Sequence, residues 1–267
     1  MAWHEIGDRV YTRRFRFFDQ QIGVVLGARD VLLVDTRSTP AQAREIATEL
    51  RELTRDPVSI VVDTHWHFDH SFGNSVFRPA TIWGHVRAAE QLRREGAAMI
   101  EEVAQELPEI AADIREVVID PPEQTFEDRA TIHVGDRVVE LSYHGRAHTD
   151  GDIAIVVPDA EVLFAGDLLE EGAPPSFGDS YPLEWPATVE QLLPLATGAV
   201  VPGHGAIGSR AFVDDQLAAF RRLAELARAV HEGSLDLEAA ITGSPFGPET
   251  PKTAFDRALA QLGGVLV

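Results

Sequence analysis

The stretch that most restricts what this chain can fold into runs from Val58 to Asn74. There an apolar run, Val58 to Val62, delivers directly into Asp63-Thr64-His65-Trp66-His67-Phe68-Asp69-His70. Three imidazoles and a carboxylate so close together repel one another when charged and waste burial when neutral, unless a cation holds them. Imidazole with carboxylate is a preferred donor set for zinc and for non-haem iron or manganese. A strand ending in such a cluster predicts a layered fold with its chemistry on the loops beyond the strand ends. His65 and His67, two apart on extended chain, converge on one ion if the backbone turns after the strand. Asp69 and His70 then face a second ion beside it.

The surrounding pattern fits an α/β chain. "IGVVLG" (Ile22 to Gly27) and "VLLVDT" (Val31 to Thr36) flank "ARD" and read as a hairpin of buried strands. Ala43, Ile46, Ala47, Leu50 and Leu53 then share one helical face, with Ser38 or Thr39 as cap and Pro40 in the first turn. His85 to Val117 is charged and helix-forming, with Pro108 opening a second helix. The stretches "ATIHVG", "RVVELSYHG", "IAIVVP" and "VLFAG" return to strand patterning. Glu171 to Pro186, broken by Pro and Gly, reads as a loop. A helix from about Ser209 places Phe212, Gln216, Phe220, Leu223 and Ala227 along one side. A last helix has Thr250 as cap, Pro251 in its first turn and Gly263 as its stop.

Composition narrows the partners. Lys plus Arg number 23 against 43 Asp plus Glu, a net charge of -20. Nucleic-acid affinity rests on cationic side chains displacing counterions, so such a surface argues against that partner and for a small-molecule substrate. No run is long enough to span a membrane, and the N-terminal residues lack the apolar region of a signal peptide. With no cysteine, disulfides and thiolate ligands are excluded, and the expectation is a soluble, cytoplasmic protein. Composition and pattern leave the oligomeric state open.

A two-metal site needs further ligands, and these recur at later strand ends. His148 in "GRAHTDGD", Asp167 in "VLFAGDLLE" and His204 in "VVPGHG" each sit where a strand gives way to a glycine-bearing turn. The expected arrangement places His65, His67 and His148 on one metal and Asp69, His70 and His204 on the other, with Asp167 bridging. Zinc is the first expectation for both ions, with iron or manganese as alternatives.

The ordered set HxHxDH, "GRAHTDGD", "LFAGD" and "PGHG" resembles the metallo-β-lactamase superfamily, across roughly Ile22 to Gly205. The resemblance implies a four-layer αββα sandwich with a dinuclear site at the edge of its two sheets, and the same seven ligands. It implies one domain over residues 1–267, with a helical insert at about 85–117 and C-terminal helices at about 209–263. Asp167 stands where zinc β-lactamases with three histidines at the first metal carry cysteine. That departure looks more like the hydrolase branches that act on thioesters, lactones and esters.

The expected reaction is hydrolysis of an ester, thioester, lactone or lactam by a hydroxide bridging the two metals, with Asp69 orienting the nucleophile and handling its proton. A mononuclear iron oxidoreductase similar to persulfide dioxygenases is the alternative within the same fold. Around the ligands, Asp63 and Thr64 can orient imidazoles, and His144 can join that shell or the pocket. Phe177, Tyr181 and Trp185, on the loop after Asp167, can wall an apolar substrate pocket or pack that loop onto the body. Arg37 can meet a substrate carboxylate or pair with a nearby acid. Asp152 fits a turn, and His85 a helix cap.

Overall fold

The computed structural model describes residues 3–247 and 251–265. Two β-sheets face each other and helices cover their outer sides. The first sheet holds β1 (His4–Gly7), β2 (Val10–Arg14), β3 (Gln21–Leu26), β4 (Val31–Val34), β5 (Val58–Val62), β6 (Thr81–His85) and β7 (Gln124–Phe126), in that spatial order. Pairing is antiparallel from β1 to β4 and parallel from β4 to β7. The second sheet holds β8 (Arg129–Val134), β9 (Arg137–Tyr143), β10 (Ile153–Val157), β11 (Val162–Glu170) and β12 (Ala199–His204), in the order β12-β11-β10-β9-β8, with only β11 and β12 parallel.

The helices are α1 (Pro40–Glu49), α2 (Phe68–Ser71), α3 (Val86–Glu106), α4 (Ala111–Ile114), α5 (Trp185–Glu190), α6 (Arg210–His231), α7 (Leu237–Thr242) and α8 (Pro251–Leu262). None of the described helices is long and apolar enough to cross a membrane.

Layering explains the continuous apolar runs. In β4, Leu32 and Val34 enter the core between the sheets, while Val31 and Leu33 meet Ala43 and Ile46 of α1 on the outer side. A strand covered on both faces needs apolar residues at successive positions rather than alternation. Against the second sheet, Leu163, Leu168 and Val200 pack with Phe220, Leu223 and Ala227 of α6. A fourth cluster joins α3 and α4 to Trp66 and Phe72 beside the histidine motif. The four-layer αββα arrangement follows.

Several boundaries differ from the sequence reading. β11 continues past Ala165 to Glu170 and is buried along its whole length, so Asp167 lies inside the strand. Its continuation is held by β12 on one side, with Glu170 opposite His204, and by Gln216 of α6, whose side-chain oxygen accepts from Glu170 N at 2.9 Å. Gln216 therefore stands on the packed side of α6 because it satisfies strand backbone. The Glu171 to Pro186 segment ends in α5, where Trp185 is fully buried. Thr39 caps α1, accepting from Gln42 N at 3.2 Å. The expected cap Thr250 lies outside the described residues.

Candidate metal centre

The seven expected ligands come from five segments at one edge of the two sheets. After β5 the chain turns through His65 and His67 into the single turn α2, which opens at His67 and carries Asp69 and His70. His148 sits between β9 and β10, Asp167 in β11 and His204 at the end of β12. A hydrogen bond from Ile153 N to Thr64 O, 3.0 Å, ties the motif of the first sheet to the second.

Asp167 is central. Its Oδ1 lies 3.2 Å from His70 Nε2, and its Oδ2 lies 3.3 Å from His204 Nε2, 3.4 Å from His148 Nε2 and 3.8 Å from His65 Nε2. On one side, His148 Nε2 approaches His67 Nδ1 to 2.8 Å. On the other, Asp69 Oδ2 is 3.4 Å from His70 Nε2 and 3.3 Å from His204 Nε2. The ligand atoms of His65, His67 and His148 lie within 4.8 Å of one another, as do those of Asp69, His70 and His204.

Each imidazole is fixed from behind. His70 Nδ1 donates to Asp35 Oδ2 at 2.7 Å, and His67 Nε2 donates to Asp179 Oδ1 at 3.1 Å. His148 Nδ1 donates to Ser176 O at 3.1 Å, and His204 Nδ1 to Phe18 O at 2.6 Å. Thr64 Oγ1 gives its proton to Asp35 Oδ2, 2.9 Å away, and so accepts from His65 Nδ1 at 3.1 Å. This pattern puts a proton on every outer nitrogen and leaves the inner lone pairs for a cation, as ligand histidines require.

The cluster fits a divalent cation on its own chemistry. His65 Nε2 and Asp167 Oδ1 are buried with no hydrogen-bond partner, a cost that folded proteins avoid unless another group satisfies them. Burial, with His67 beside it, pushes the His148 imidazole down to about 4. Burial alone would raise the Asp167 carboxyl, but His204, His70 and His65 outweigh it and hold the group well below the ordinary carboxylate range. The donors are imidazole nitrogen and carboxylate oxygen without thiolate, a set suited to zinc, manganese or iron.

The sequence profile of the metallo-beta-lactamase superfamily matches residues 16–204, a span that includes all of these residues. The chain belongs to that superfamily. It is 26% identical over 196 residues to metallo-beta-lactamase type 2 of Bacillus cereus, covering 70% of this chain and 68% of that protein. It is 28% identical over 234 residues to the human acyl-coenzyme A thioesterase MBLAC2, covering 76% and 80%. In fold it is similar to the metallo-beta-lactamase from Pontibacter korlensis, with a TM-score of 0.65 at 19% identity over 82% of this chain and 98% of that one.

In this superfamily member a cavity of about 560 Å³ opens over the cluster, reaching His67, Asp69, His148, Asp167 and His204. The expected substrate contacts are not on its wall. Phe177 and Trp185 lie in the core behind β11, with Trp185 stacked on Phe220 at 4.4 Å. Tyr181 sits under the Arg146 guanidinium, 4.4 Å from its ring centroid. Arg37 pairs with Glu45 and lies 3.9 Å over the Phe15 ring, in a separate cavity of about 290 Å³. Packing accounts for all four.

Two expected orienting residues are also displaced. Asp63 accepts from Asn74 Nδ2 at 2.7 Å and bonds none of the clustered histidines; Asp35 bonds His70 directly and reaches His65 through Thr64. His144 meets Ser142 Oγ at 2.9 Å, away from the cavity. His85 occupies the N-cap position of α3 as expected, without a side-chain capping bond, and stacks on Tyr143 at 4.1 Å; Asp152 holds its turn through Thr149 N at 2.7 Å. The residues missed are Asp35, Asp179 and Glu170. Asp35 had a signal, an acid directly after the run "VLLV". Glu170 is buried against Asp167, pushed up to about 8 chiefly by burial, and its Oε1 accepts from Ser176 N at 3.1 Å.

Proposed function

We propose that this chain is a dinuclear metal-dependent hydrolase that cleaves an ester, thioester, lactone or lactam. The observation that carries the reading is the position of Asp167, whose two oxygens face both groups of donors at once. His65, His67 and His148 would hold one ion and Asp69, His70 and His204 the other, zinc being the first expectation, with Asp167 shared. Divalent ions in such a pair lower the pKa of a water and polarise a carbonyl oxygen.

The chain's own residues supply orientation and proton handling. Asp69 faces the cavity between His70 and His204, where its carboxylate can align an attacking water and take its proton. Asp35, Asp179, Ser176 O and Phe18 O hold the imidazoles in one tautomer, so no reorganisation accompanies the reaction. Among the residues that line the cavity there is no serine-histidine or other nucleophile-base pair poised for a covalent route; Ser176 contributes its carbonyl to His148.

A panel of chromogenic thioester, lactone, aryl ester and cephalosporin substrates tests this on the metal-loaded protein. At least one non-lactam class is hydrolysed, and Asp69→Ala lowers that rate by about 10² or more. An unchanged rate in Asp69→Ala would overturn the mechanism. Metal analysis of protein from its native source separates the iron oxidoreductase reading: one iron and no zinc would replace the hydrolase with it.

A further inference from the structure

We infer that the cavity selects substrates whose non-reacting part carries a positive charge, an ammonium or quaternary ammonium group attached to the hydrolysable carbonyl compound. This rests on the hydrolase reading above and adds the substrate class. One wall of the cavity is a face of α3. Glu95, Met99, Glu102 and Glu106, spaced by three or four residues, all line the cavity.

Elsewhere on α3, Glu101 pairs with Arg115 at 3.4 Å, whereas Glu102 and Glu106 make no ion pair among the described residues. No lysine or arginine lines this cavity. Arg94, adjacent to Glu95, pairs with it at 3.1 Å from outside the lining, and Arg13, Arg14, Arg16 and Arg37 line the separate cavity around Phe15. A polyanionic substrate such as an acyl-coenzyme A would meet the unpaired carboxylates of Glu102 and Glu106 on this wall, with no cationic side chain among the lining residues. A cleft lined by one sign of charge focuses its field on the opposite sign.

The remaining surface suits a cation as well. Phe18 is 42% exposed, unusual for so large an apolar side chain, and lies edge-to-face with Phe68 at 5.7 Å on the cavity wall. Ring faces attract ammonium groups, with the greatest effect where water is excluded. The donors around Asp167 that would hold the ions line the same cavity, and the reacting carbonyl would lie against them. The glutamates then meet the distal end of the same molecule.

The test uses zinc-loaded protein and thioesters that share one acyl group and differ only in the distal group: trimethylammonium, its uncharged tert-butyl isostere, or carboxylate. At low salt kcat/KM for the cationic thioester exceeds that for the neutral one by about tenfold and for the anionic one by more. The ratios shrink as salt is raised. In Glu102→Gln/Glu106→Gln the cationic-to-anionic ratio collapses toward one. Equal rates, an anionic preference, or a ratio unchanged in the double variant would each overturn the inference.

Calorimetric binding of the matching non-hydrolysable thioethers keeps the two readings apart. If no thioester is turned over, thioesters are excluded as the substrate class, and the hydrolase reading fails only if the ester, lactone and cephalosporin substrates are not hydrolysed either. The charge preference then stands if the trimethylammonium thioether alone binds and the double variant loses it, and falls if the three bind alike.

Discussion

Asp35 and His70, thirty-five positions apart, are joined by a hydrogen bond of 2.7 Å between buried atoms, and Asp35 also accepts from Thr64 N at 2.8 Å. One carboxylate at the end of β4 thus orients the histidine of α2 and the turn that presents His65. It sits at φ 63°, a conformation asparagine also tolerates, so Asp35→Asn removes charge with little backbone penalty. Outer-shell changes of this kind cost roughly 10- to 100-fold in metal affinity. A chelator-competition titration of Asp35→Asn should show that loss; wild-type affinity would mean that His70 is held by its ion alone.

Proton release on metal loading follows from the electrostatics. Burial pulls His70 and His204 down, but Asp167 and Asp69 outweigh it and hold both imidazoles well above the usual histidine range in the metal-free chain. A cation must displace those protons, so about two are released per chain at neutral pH and apparent affinity falls as pH falls. For the metal-free fold the folded pKa values lie above the unfolded one of about 6.5. Their stabilisation is therefore complete below that pH and lost as pH rises through the raised values. Calorimetry in buffers of different ionisation enthalpy counts the protons, and a metal-free Tm rising with pH from neutrality would contradict the sign.

The clustering of the seven candidate donors was legible in the sequence because His65, His67, His148 and His204 sit at or just beyond strand ends and Asp69 and His70 follow on the next turn; Asp167 joins them from inside β11. Asp179 was not. It joins His67 across more than a hundred positions from a Pro- and Gly-rich segment without periodicity, so nothing local marks it. Trp185 misled for a related reason: Pro182 and Pro186 hide a short helix whose only strong signal is its contact with Phe220. β2, with Thr12 buried and Arg13 half-buried beside it, lacks the apolar pattern that identified β4 and β5. Its place comes from pairing with β3.

Gly203 shows why "PGHG" needs its first glycine. A Cβ there would overlap Asp167 Oδ1 and approach Gly166 C to 3.0 Å. In Gly203→Ala the Asp167 carboxylate must move, because strand backbone closes the other side. Metal content measured by mass spectrometry should drop below that of wild type, with hydrolysis reduced by about 10². Far-ultraviolet circular dichroism reports whether the fold is kept, and full metal content in a folded variant would contradict the role assigned to Gly203.

Trp185→Ala distinguishes packing from substrate contact on the segment after β11. The indole is fully buried, stacked on Phe220 with 23° between rings, and its Nε1 donates to Leu168 O at 3.1 Å. Truncation leaves a cavity and an unsatisfied strand carbonyl, so the expected cost is about 3 to 5 kcal/mol. Urea unfolding should show it as a lower midpoint with the slope retained, while the folded fraction keeps a KM close to wild type. A raised KM with the midpoint unchanged would return Trp185 to the cavity wall. Trp185→Phe keeps most of the stack and loses only the N–H bond, so its midpoint should fall between the two.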